Sequence, residues 1–423
     1  MASKETTNNA STYSTKLPSE LIVEIFSYLP IETLKGLITY PPFARALKTL
    51  AFQRNHAFNL LNNPNTKQLI LIPSWKSYEH AILEINPNVA ITDQTTQFYI
   101  LKQLFNDVLP FETKTFSNCM IIGGTNGLIC LYFEFYRLPD KPKNPNSCYC
   151  CAQRAARQTF HYLILWNPCT REHHALPNAP QGFNFDRKVS TTTLCGFGYD
   201  AINSTYKFVL CNSSNTQFYD LSSNNWNVIE TPSIIDWSEV GLFKDDYHLG
   251  LCTVQFGQYV NGALNWIMSR EKIVSIDLST GVSNCLNIAK CCTSPNNHRI
   301  NLGVLKGRLS LCCSRKTSYK VSIWVMKEYG NDESWTNIST VCWETKNLAY
   351  RPGEVVIRPP VWMSDENSER EVFLFLVDGK IASWLPKVKK FGFVKGPEFN
   401  CTRSIVHVDT FVSPKPQQVL TPK

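Results

Sequence analysis

The chain has 423 residues, a length that at one domain per ~150 residues predicts two or three domains, or one small module and one large domain. Apolar residues make up 43% of it and charged residues 18%, which excludes a mainly disordered chain. The net charge of +8 is a mild excess that favours solubility or an acidic partner and does not indicate nucleic acid. The N-terminus is polar and no stretch approaches the ~20 apolar residues of a membrane helix, so we expect a soluble protein of the cytoplasm or nucleus without a membrane contact.

Residues 16–62 carry a helical pattern, after a polar segment, residues 1–15, that we predict to be disordered. One apolar stripe between Pro18 and Pro30 predicts a short helix, and its members are Leu21, Ile22, Ile25, Phe26 and Leu29. Two further stripes predict two more helices, of which the tandem prolines 41–42 end the first. So small a unit carries more large aliphatic residues than its own core can hide, and we expect it to dock onto another protein.

From residue 63 to 412 the period changes to that of strands. Runs such as QLILIP, HYLILWN, YKFVLC and EVFLFLVDG are bounded by Gly, Asn, Asp, Ser or Pro, and a helical turn or two is expected only near Tyr99–Val108. Many short strands predict an antiparallel all-β domain of propeller size. The fold class is therefore α+β, with a small all-α module before a large all-β, propeller-like domain, and the Pro-rich segment 413–423 is a predicted disordered tail.

Two short phrases recur within the β region. A glycine turn that leads into a strand appears in TNGLICLY (125–132), VNGALNWI (260–267), LKGRLSLC (305–312) and VDGKIASW (377–384). A strand that ends in a polar turn appears in LWNPCTRE (165–172), FYDLSSNNW (218–226) and SIDLSTG (275–281). Their uneven spacing predicts degenerate blades with inserted loops and leaves the number of blades open.

The insertion Arg137–Thr159 holds five basic residues against one Asp, and three cysteines. Cys148 and Cys151 have the half-site spacing of a zinc pair, and Cys169, His173 and His174 could complete four ligands, but no second cysteine pair follows at a conventional distance. We therefore predict free thiols and no metal site. The basic residues either steer an acidic substrate or are simply solvated. The cysteines elsewhere are scattered, without an export signal, and are expected to be reduced.

Other catalytic and cofactor patterns are weak. Residues 194–201, LCGFGYDA, resemble a dinucleotide fingerprint, but a strand follows where a phosphate-binding helix must begin, so we interpret Gly196 and Gly198 as turn glycines and predict no cofactor. Nucleophile-elbow, zinc-protease and phosphate-loop motifs are absent from the sequence. The tryptophans expected in the core are Trp166, Trp226, Trp266, Trp324, Trp335 and Trp384.

The helical segment, KLPSELIVEIFSYLPIETLKGL, resembles the F-box. The residues that carry this resemblance, and that it implies for adaptor binding, are Leu17, Pro18, Leu21, Ile22, Ile25, Leu29, Pro30 and Leu34. The rest resembles the kelch-related F-box-associated β domain of plants through NGLICL, LWNPCTRE, FGYD, YKFV, VNGALNW and IDLSTG in that order. The F-box pattern departs after Leu34, where Thr39, Pro42 and Ala44 replace the usual Cys, Lys and Trp and Phe43 is the candidate substitute ring.

The resemblance implies a non-catalytic receptor. Its F-box docks to a Skp-type adaptor, which joins cullin and RING subunits of an SCF ubiquitin ligase, and its β domain holds an unidentified target protein. Two alternatives stay open: a β-propeller enzyme, such as a hydrolase or a sugar-active enzyme, and a protein-binding module that works without the adaptor. The enzyme requires acids, histidines or a metal that converge in a pocket, and the sequence supplies no local motif for them.

Overall fold

The computed structural model describes the chain in two compact units, residues 1–66 and 67–423. The described residues are 18–37, 40–47, 49–62, 69–74, 81–85, 96–137, 158–180, 192–240, 254–290, 298–315, 320–342, 359–364, 371–377, 380–393 and 404–416. Several predictions concern residues outside these ranges: the segment 1–15, Leu17, Thr39, the cysteines at 148, 150, 151, 291 and 292, and most of the basic insertion.

The helical unit contains four helices among its described residues, one more than the sequence pattern predicts. They are α1 (Ser19–Phe26), α2 (Ile31–Leu37), α3 (Pro41–Leu47) and α4 (Leu50–Asn62). The tandem prolines do not end a helix, because Pro41 is the first residue of α3. Proline is tolerated there since the first turn of a helix has no intrahelical partner for its N–H groups.

The core of the helical unit is small and apolar. Its fully or almost fully buried aliphatic and aromatic residues are Ile31, Leu34, Leu47, Phe52 and Leu60. Phe26 at the end of α1 meets Phe43 of α3 edge to face, with ring centroids 5.1 Å apart. This aromatic contact joins the first and third helices.

The second unit is almost entirely β, and its described strands form six sheets. The first sheet orders β25 (Ile405–His407), β1 (Leu69–Ser74), β2 (Ala81–Ile85) and β3 (Thr96–Ile100). The second orders β4 (Thr115–Thr125), β5 (Leu128–Arg137), β6 (Gln158–Trp166) and β7 (His173–Ala175). The third orders β11 (Asn225–Ile229), β10 (Thr216–Asp220), β9 (Thr205–Cys211), β8 (Thr193–Asp200) and β12 (Val254–Phe256).

The remaining three sheets follow chain order. The fourth contains β13 (Gln258–Val260), β14 (Ala263–Ile267), β15 (Lys272–Asp277) and β16 (Ser283–Asn287). The fifth contains β17 (His298–Leu305), β18 (Arg308–Arg315), β19 (Lys320–Met326) and β20 (Trp335–Cys342). The sixth contains β21 (Trp362–Met363), β22 (Phe373–Val377), β23 (Lys380–Leu385) and β24 (Lys390–Phe393). Two short helices, α5 (Leu101–Phe105) and α6 (Trp237–Val240), connect strands.

Apolar clusters between neighbouring sheets arrange these sheets as the blades of a propeller. Separate clusters join the first sheet to the second, the third to the fourth, the fourth to the fifth and the fifth to the sixth. A further cluster packs Ile70 of β1 with Trp362 and Leu374 of the sixth sheet. The indole N–H of Trp226 in β11 donates to the carbonyl oxygen of Pro177, which follows β7, and so joins the third sheet to the second. Because the sixth sheet also contacts the first, the ring closes, and the predicted propeller-like all-β fold is confirmed.

The first recurring phrase forms tight hairpins. Asn126–Gly127 joins β4 to β5, Asn261–Gly262 joins β13 to β14, and Lys306–Gly307 joins β17 to β18, all with positive φ at both residues. Two consecutive left-handed residues match the twist of the flanking strands. The fourth copy, at 378–379, lies outside the described residues, although its flanking residues Val377 and Lys380 pair directly.

The second recurring phrase places a side-chain cap at the turn between the third and fourth strands of a blade. The side-chain oxygens Oδ1 of Asn167, Asp220 and Asp277 each accept hydrogen bonds from backbone N–H groups two and three residues ahead. An Asn or Asp at this position mimics a backbone turn. The phrase is therefore an architectural signal and not a catalytic one.

The C-terminal segment closes the ring. β25 pairs with β1, and the chain then continues along the turns of the second blade. Asn167 donates from Nδ2 to the carbonyl oxygens of Thr410 and Val412 at 2.9 and 2.7 Å. Ser413 donates to Glu172, and Pro414 is buried. Residues 413–416, the first part of the predicted disordered tail, pack against this blade.

Candidate partner-docking face of the helical unit

Three large apolar side chains of the helical unit are exposed on one side of α1. Leu21, Ile25 and Tyr28 keep 46%, 50% and 61% of their surface accessible. Their spacing of four and then three residues places them on one helical stripe. Glu20 and Glu24 are exposed beside them. We call the three residues the α1 stripe.

The residues predicted for adaptor binding differ in their solvent exposure. Pro18, Leu21, Ile25 and Pro30 are exposed, Ile22 and Leu29 are half-buried, and Leu17 lies outside the described residues. Leu34, also implied for adaptor binding, is fully buried in the helical core. Its position on an apolar stripe reflects packing within the unit. Tyr28 is not among the residues predicted from the sequence, although its spacing from Leu21 and Ile25 is that of one helical face.

A set of polar side chains on α4 binds the turn that follows α1. Ser27 is fully buried, and its hydroxyl donates to the carbonyl oxygen of Glu24 at 2.7 Å. The same hydroxyl accepts from Nδ2 of Asn59 at 2.8 Å and of Asn55 at 3.3 Å. His56 donates from Nε2 to the carbonyl oxygen of Leu29 at 2.9 Å, since a carbonyl can only accept. We call Asn55, His56 and Asn59 the α4 clasp.

Burial determines the charge state of the clasp. It lowers the pKa of His56, and the hydrogen bond to Leu29 opposes only part of this effect. The imidazole is therefore neutral at neutral pH, with its proton on Nε2. A neutral ring is compatible with its stacking on Phe52, whose ring centroid lies 5.6 Å away.

The altered second half of the F-box keeps an aromatic contact. Phe43, proposed as the substitute ring, is half-buried against Phe26, and Tyr40 lies 5.6 Å from it between ring centroids. Ala44 is also half-buried. Phe43 therefore packs within the unit, while Tyr40 is 53% exposed.

The histidines and cysteines considered for a metal site do not converge among the described residues. His173 contacts Asp107 at 3.1 Å, while His174 contacts Asn224 at 3.3 Å. In the part of the chain that the structure describes, no three His, Cys, Asp or Glu residues lie close enough together to hold a metal ion. Burial raises the pKa of the Cys211 thiol to about 11, which disfavours a reactive thiolate there.

The cysteines that the structure describes include eight free thiols. Cys313 is disulfide-bonded, so the expectation of reduced thiols is wrong at this position. Cys312 beside it is a buried free thiol in an apolar cluster, as its neighbouring residues predict. No described helix has the length and apolar character needed to cross a membrane.

Gly196 and Gly198 do not occupy a turn. Both lie inside β8, opposite Val209 and Lys207 of β9. A Cβ on Gly196 would lie 2.8 Å from Leu264 in the next blade, and one on Gly198 would clash with Tyr259. These glycines allow close approach of two blades, which excludes both the turn interpretation and the dinucleotide fingerprint.

The tryptophans predicted for the core are largely confirmed there, and several also join blades. Five are buried, and Trp324 is half-buried. The indole N–H of Trp266 donates to the Cys195 carbonyl in the preceding blade, and that of Trp384 donates to Ser339, at 3.1 Å in both cases. Trp335 donates likewise to the Asn287 carbonyl at 2.9 Å. These rings have structural partners and are not candidate contact anchors.

Comparison with known proteins agrees with this architecture. The family described as "F-box associated beta propeller domain" matches residues 150–383, more than half of the chain. F-box protein CPR1 of Arabidopsis thaliana is 28% identical over 259 residues, which are 55% of this chain and 59% of that protein. An F-box/kelch-repeat protein of the same plant is 25% identical over 252 residues, 58% of this chain and 56% of that protein. The chain thus spans less than three fifths of the length of these two relatives.

Among solved structures, a nidogen/laminin complex matches 81% of this chain and 99% of its own, with 8% identity and a TM-score of 0.37. A TM-score at this level supports no argument about function. The family match and the F-box relatives agree with the closed ring of sheets and with the helical unit that precedes it. The chain therefore belongs to the F-box-associated β-propeller family.

Proposed function

We propose that this chain is the substrate-recognition subunit of an SCF-type cullin–RING ubiquitin ligase. Its helical unit docks to a Skp-type adaptor, and through it to the cullin and RING subunits. Its propeller holds the protein that is to be ubiquitylated. Family membership and the F-box relatives support this proposal.

The observation that carries the proposal is the exposed aliphatic pair of the α1 stripe, Leu21 and Ile25. The helical unit leaves Leu21 and Ile25 about half accessible on one side of α1. Aliphatic anchors on one helical face are typical of a helix that inserts into a partner's groove. Contiguous exposed apolar residues of this kind mark interaction sites.

The proposed mechanism is proximity. The receptor binds a target protein and the ligase at once, so the target lysine stays near the charged ubiquitin carrier at high effective concentration. Other subunits of the ligase catalyse formation of the bond between ubiquitin and the target lysine. The receptor accordingly needs two binding surfaces and no catalytic group, and we propose that it is not an enzyme.

Substitution of the stripe tests the docking surface. We expect Leu21→Asp and Ile25→Asp to reduce adaptor binding by roughly 100-fold, since a carboxylate buried in an apolar interface costs ~3 kcal/mol or more. Co-purification and titration of the full chain with the adaptor measure this loss. Thr33→Asp, which adds the same charge at an exposed position of α2, is the matched control and should bind normally.

Unchanged adaptor binding by both the Leu21→Asp and the Ile25→Asp variant would contradict the proposed docking surface. Failure of the unaltered chain to bind the adaptor at all would favour the adaptor-independent binding module instead. In either case, tryptophan fluorescence of the buried indoles reports whether the propeller stays folded.

A further inference from the structure

The solvent exposure of the side chains changes sharply from residue to residue in the turn Ser27–Tyr28–Leu29. Ser27 is fully buried and Leu29 is half-buried, while Tyr28 between them is 61% exposed. Tyr28 donates its N–H to the carbonyl oxygen of Ile25 at 3.1 Å, so its backbone continues the last turn of α1. Tyr28 therefore extends the apolar side of the helix by one turn beyond Ile25.

The hydroxyl of Ser27 has its full complement of hydrogen bonds. It donates one to Glu24 and accepts one each from Asn55 and Asn59. Asn59 also reaches the Ser27 carbonyl oxygen at 3.4 Å. One residue further on, His56 binds the Leu29 carbonyl. The α4 clasp thus holds the backbone on both sides of Tyr28.

The helix that carries the stripe needs such support. α1 has only eight residues, and Pro18 at its N-cap makes no side-chain capping bond. Isolated helices shorter than ~12–15 residues are marginal in water. Directional hydrogen bonds from α4 fix the rotation and end point of α1 more sharply than apolar contacts do.

Tyrosine at this place has the properties of an interface anchor. Its ring offers a large apolar surface with few rotatable bonds, and its hydroxyl can remain at a wet edge. Leu21 and Ile25 supply the aliphatic part of the same stripe. A groove of the adaptor that accepts Leu21 and Ile25 would contact Tyr28 at the C-terminal end of the same stripe.

We propose that Tyr28 is a third contact residue for the Skp-type adaptor and that Asn59 is a positioning residue, which acts through the Ser27–Leu29 turn to place Tyr28. This inference rests on the proposed function, because it names further residues of the same docking site. It predicts that the contributions of Asn59 and Tyr28 to adaptor affinity are coupled.

A double-mutant cycle on the full chain tests the coupling. Affinity for the purified adaptor is measured for the unaltered chain, Tyr28→Ala, Asn59→Ala and the double variant. We expect each single change to weaken binding about tenfold and the double change to weaken it little further, because a misplaced ring and an absent ring have the same effect. Gln53→Ala, on α4 outside the clasp, is the control and should bind normally.

Hydrogen exchange of α1 amides checks that Asn59→Ala keeps the helix. If this variant unfolds α1, Ser27→Ala takes its place in the cycle, since it removes the hydroxyl and keeps the bond from Asn59 to the Ser27 carbonyl. Normal affinity in Tyr28→Ala, or single losses that multiply to about 100-fold in the double variant, would overturn the inference while the proposed function stands. No binding by the unaltered chain would overturn both.

Discussion

His56 shows how one buried polar residue ties the docking face to the rest of the helical unit. The residue is fully buried, stacks on Phe52 and donates a hydrogen bond to the carbonyl of Leu29. Protonation would put a charge into this apolar environment. The helical unit is therefore coupled to pH through a residue that lies outside the docking stripe.

Acidification should loosen the helical unit. Burial lowers the pKa of His56 in the folded chain below its ordinary value of 6.5, so the unfolded state binds more protons in the window below pH 6.5. Stability from His56 is present above that pH and is lost as the pH falls through the folded pKa. Exchange of the α1 and α4 amides, corrected for intrinsic rate, should accelerate as the pH falls below 6.5.

His56→Gln is the matched control for this prediction. A glutamine amide can reach the Leu29 carbonyl but does not titrate. Its exchange rates should show a flatter pH dependence than those of the unaltered chain. Equal pH dependence in both proteins would contradict the assignment of the effect to His56.

At the scale of single residues, sequence periodicity predicted the apolar stripe that carries the candidate site. It identified Leu21 and Ile25 because helical spacing reports which residues share a face. The F-box resemblance implies Leu34 for adaptor binding as well, but Leu34 is fully buried, since spacing does not report which face a neighbouring helix covers. The predicted stripe runs on to Leu29 but does not include Tyr28, whose exposure depends on the turn that follows α1.

At the scale of elements, the Asn-Gly turns were predictable and their tertiary contacts were not. Gly127 and Gly262 occupy equivalent positions in two hairpins, with φ of 81° and 80°. A Cβ on Gly262 would meet nothing within 4 Å, but one on Gly127 would clash with Thr410 of the C-terminal segment. Thr410 is itself fully buried and donates to the Asn126 carbonyl at 3.1 Å.

Alanine substitutions at Gly127 and Gly262 measure how much the C-terminal segment contributes to the stability of the closed propeller. Both Gly127→Ala and Gly262→Ala should destabilise the propeller by the strain of a left-handed alanine, about 1–2 kcal/mol. Gly127→Ala should cost at least ~1 kcal/mol more, because Thr410 and the segment behind it must move. Denaturant unfolding of the propeller, followed by tryptophan fluorescence, measures the difference. Equal losses in the two variants would show that the C-terminal segment contributes nothing to closure.

The tandem prolines illustrate the limit of local signals. A proline can end one helix or begin the next, and the sequence of residues 38–42 is compatible with both. The structure places Pro41 at the first position of α3. Helix number was therefore wrong by one, while the existence of a small helical unit was correctly predicted.

At the scale of the whole molecule, composition and strand period predicted a large β-propeller, but they did not predict its closure or the number of its sheets. β1 and β25 are separated by more than 300 residues and pair antiparallel with only three residues each. No local pattern encodes such a pairing. The close packing of the β8 glycines is not predictable from local sequence either, since their neighbours Leu264 and Tyr259 lie more than 60 residues away in the chain.

The central claim is that the α1 stripe is a docking surface for a Skp-type adaptor, and hydrogen exchange of the full chain with and without the purified adaptor tests it most directly. The account predicts that added adaptor slows exchange of the amides of Ser19–Leu29, which include the whole stripe. Exchange in the hairpin Leu305–Arg308 of the propeller should not change. Formation of a stable complex without added protection in Ser19–Leu29, or no complex at all, would contradict the account.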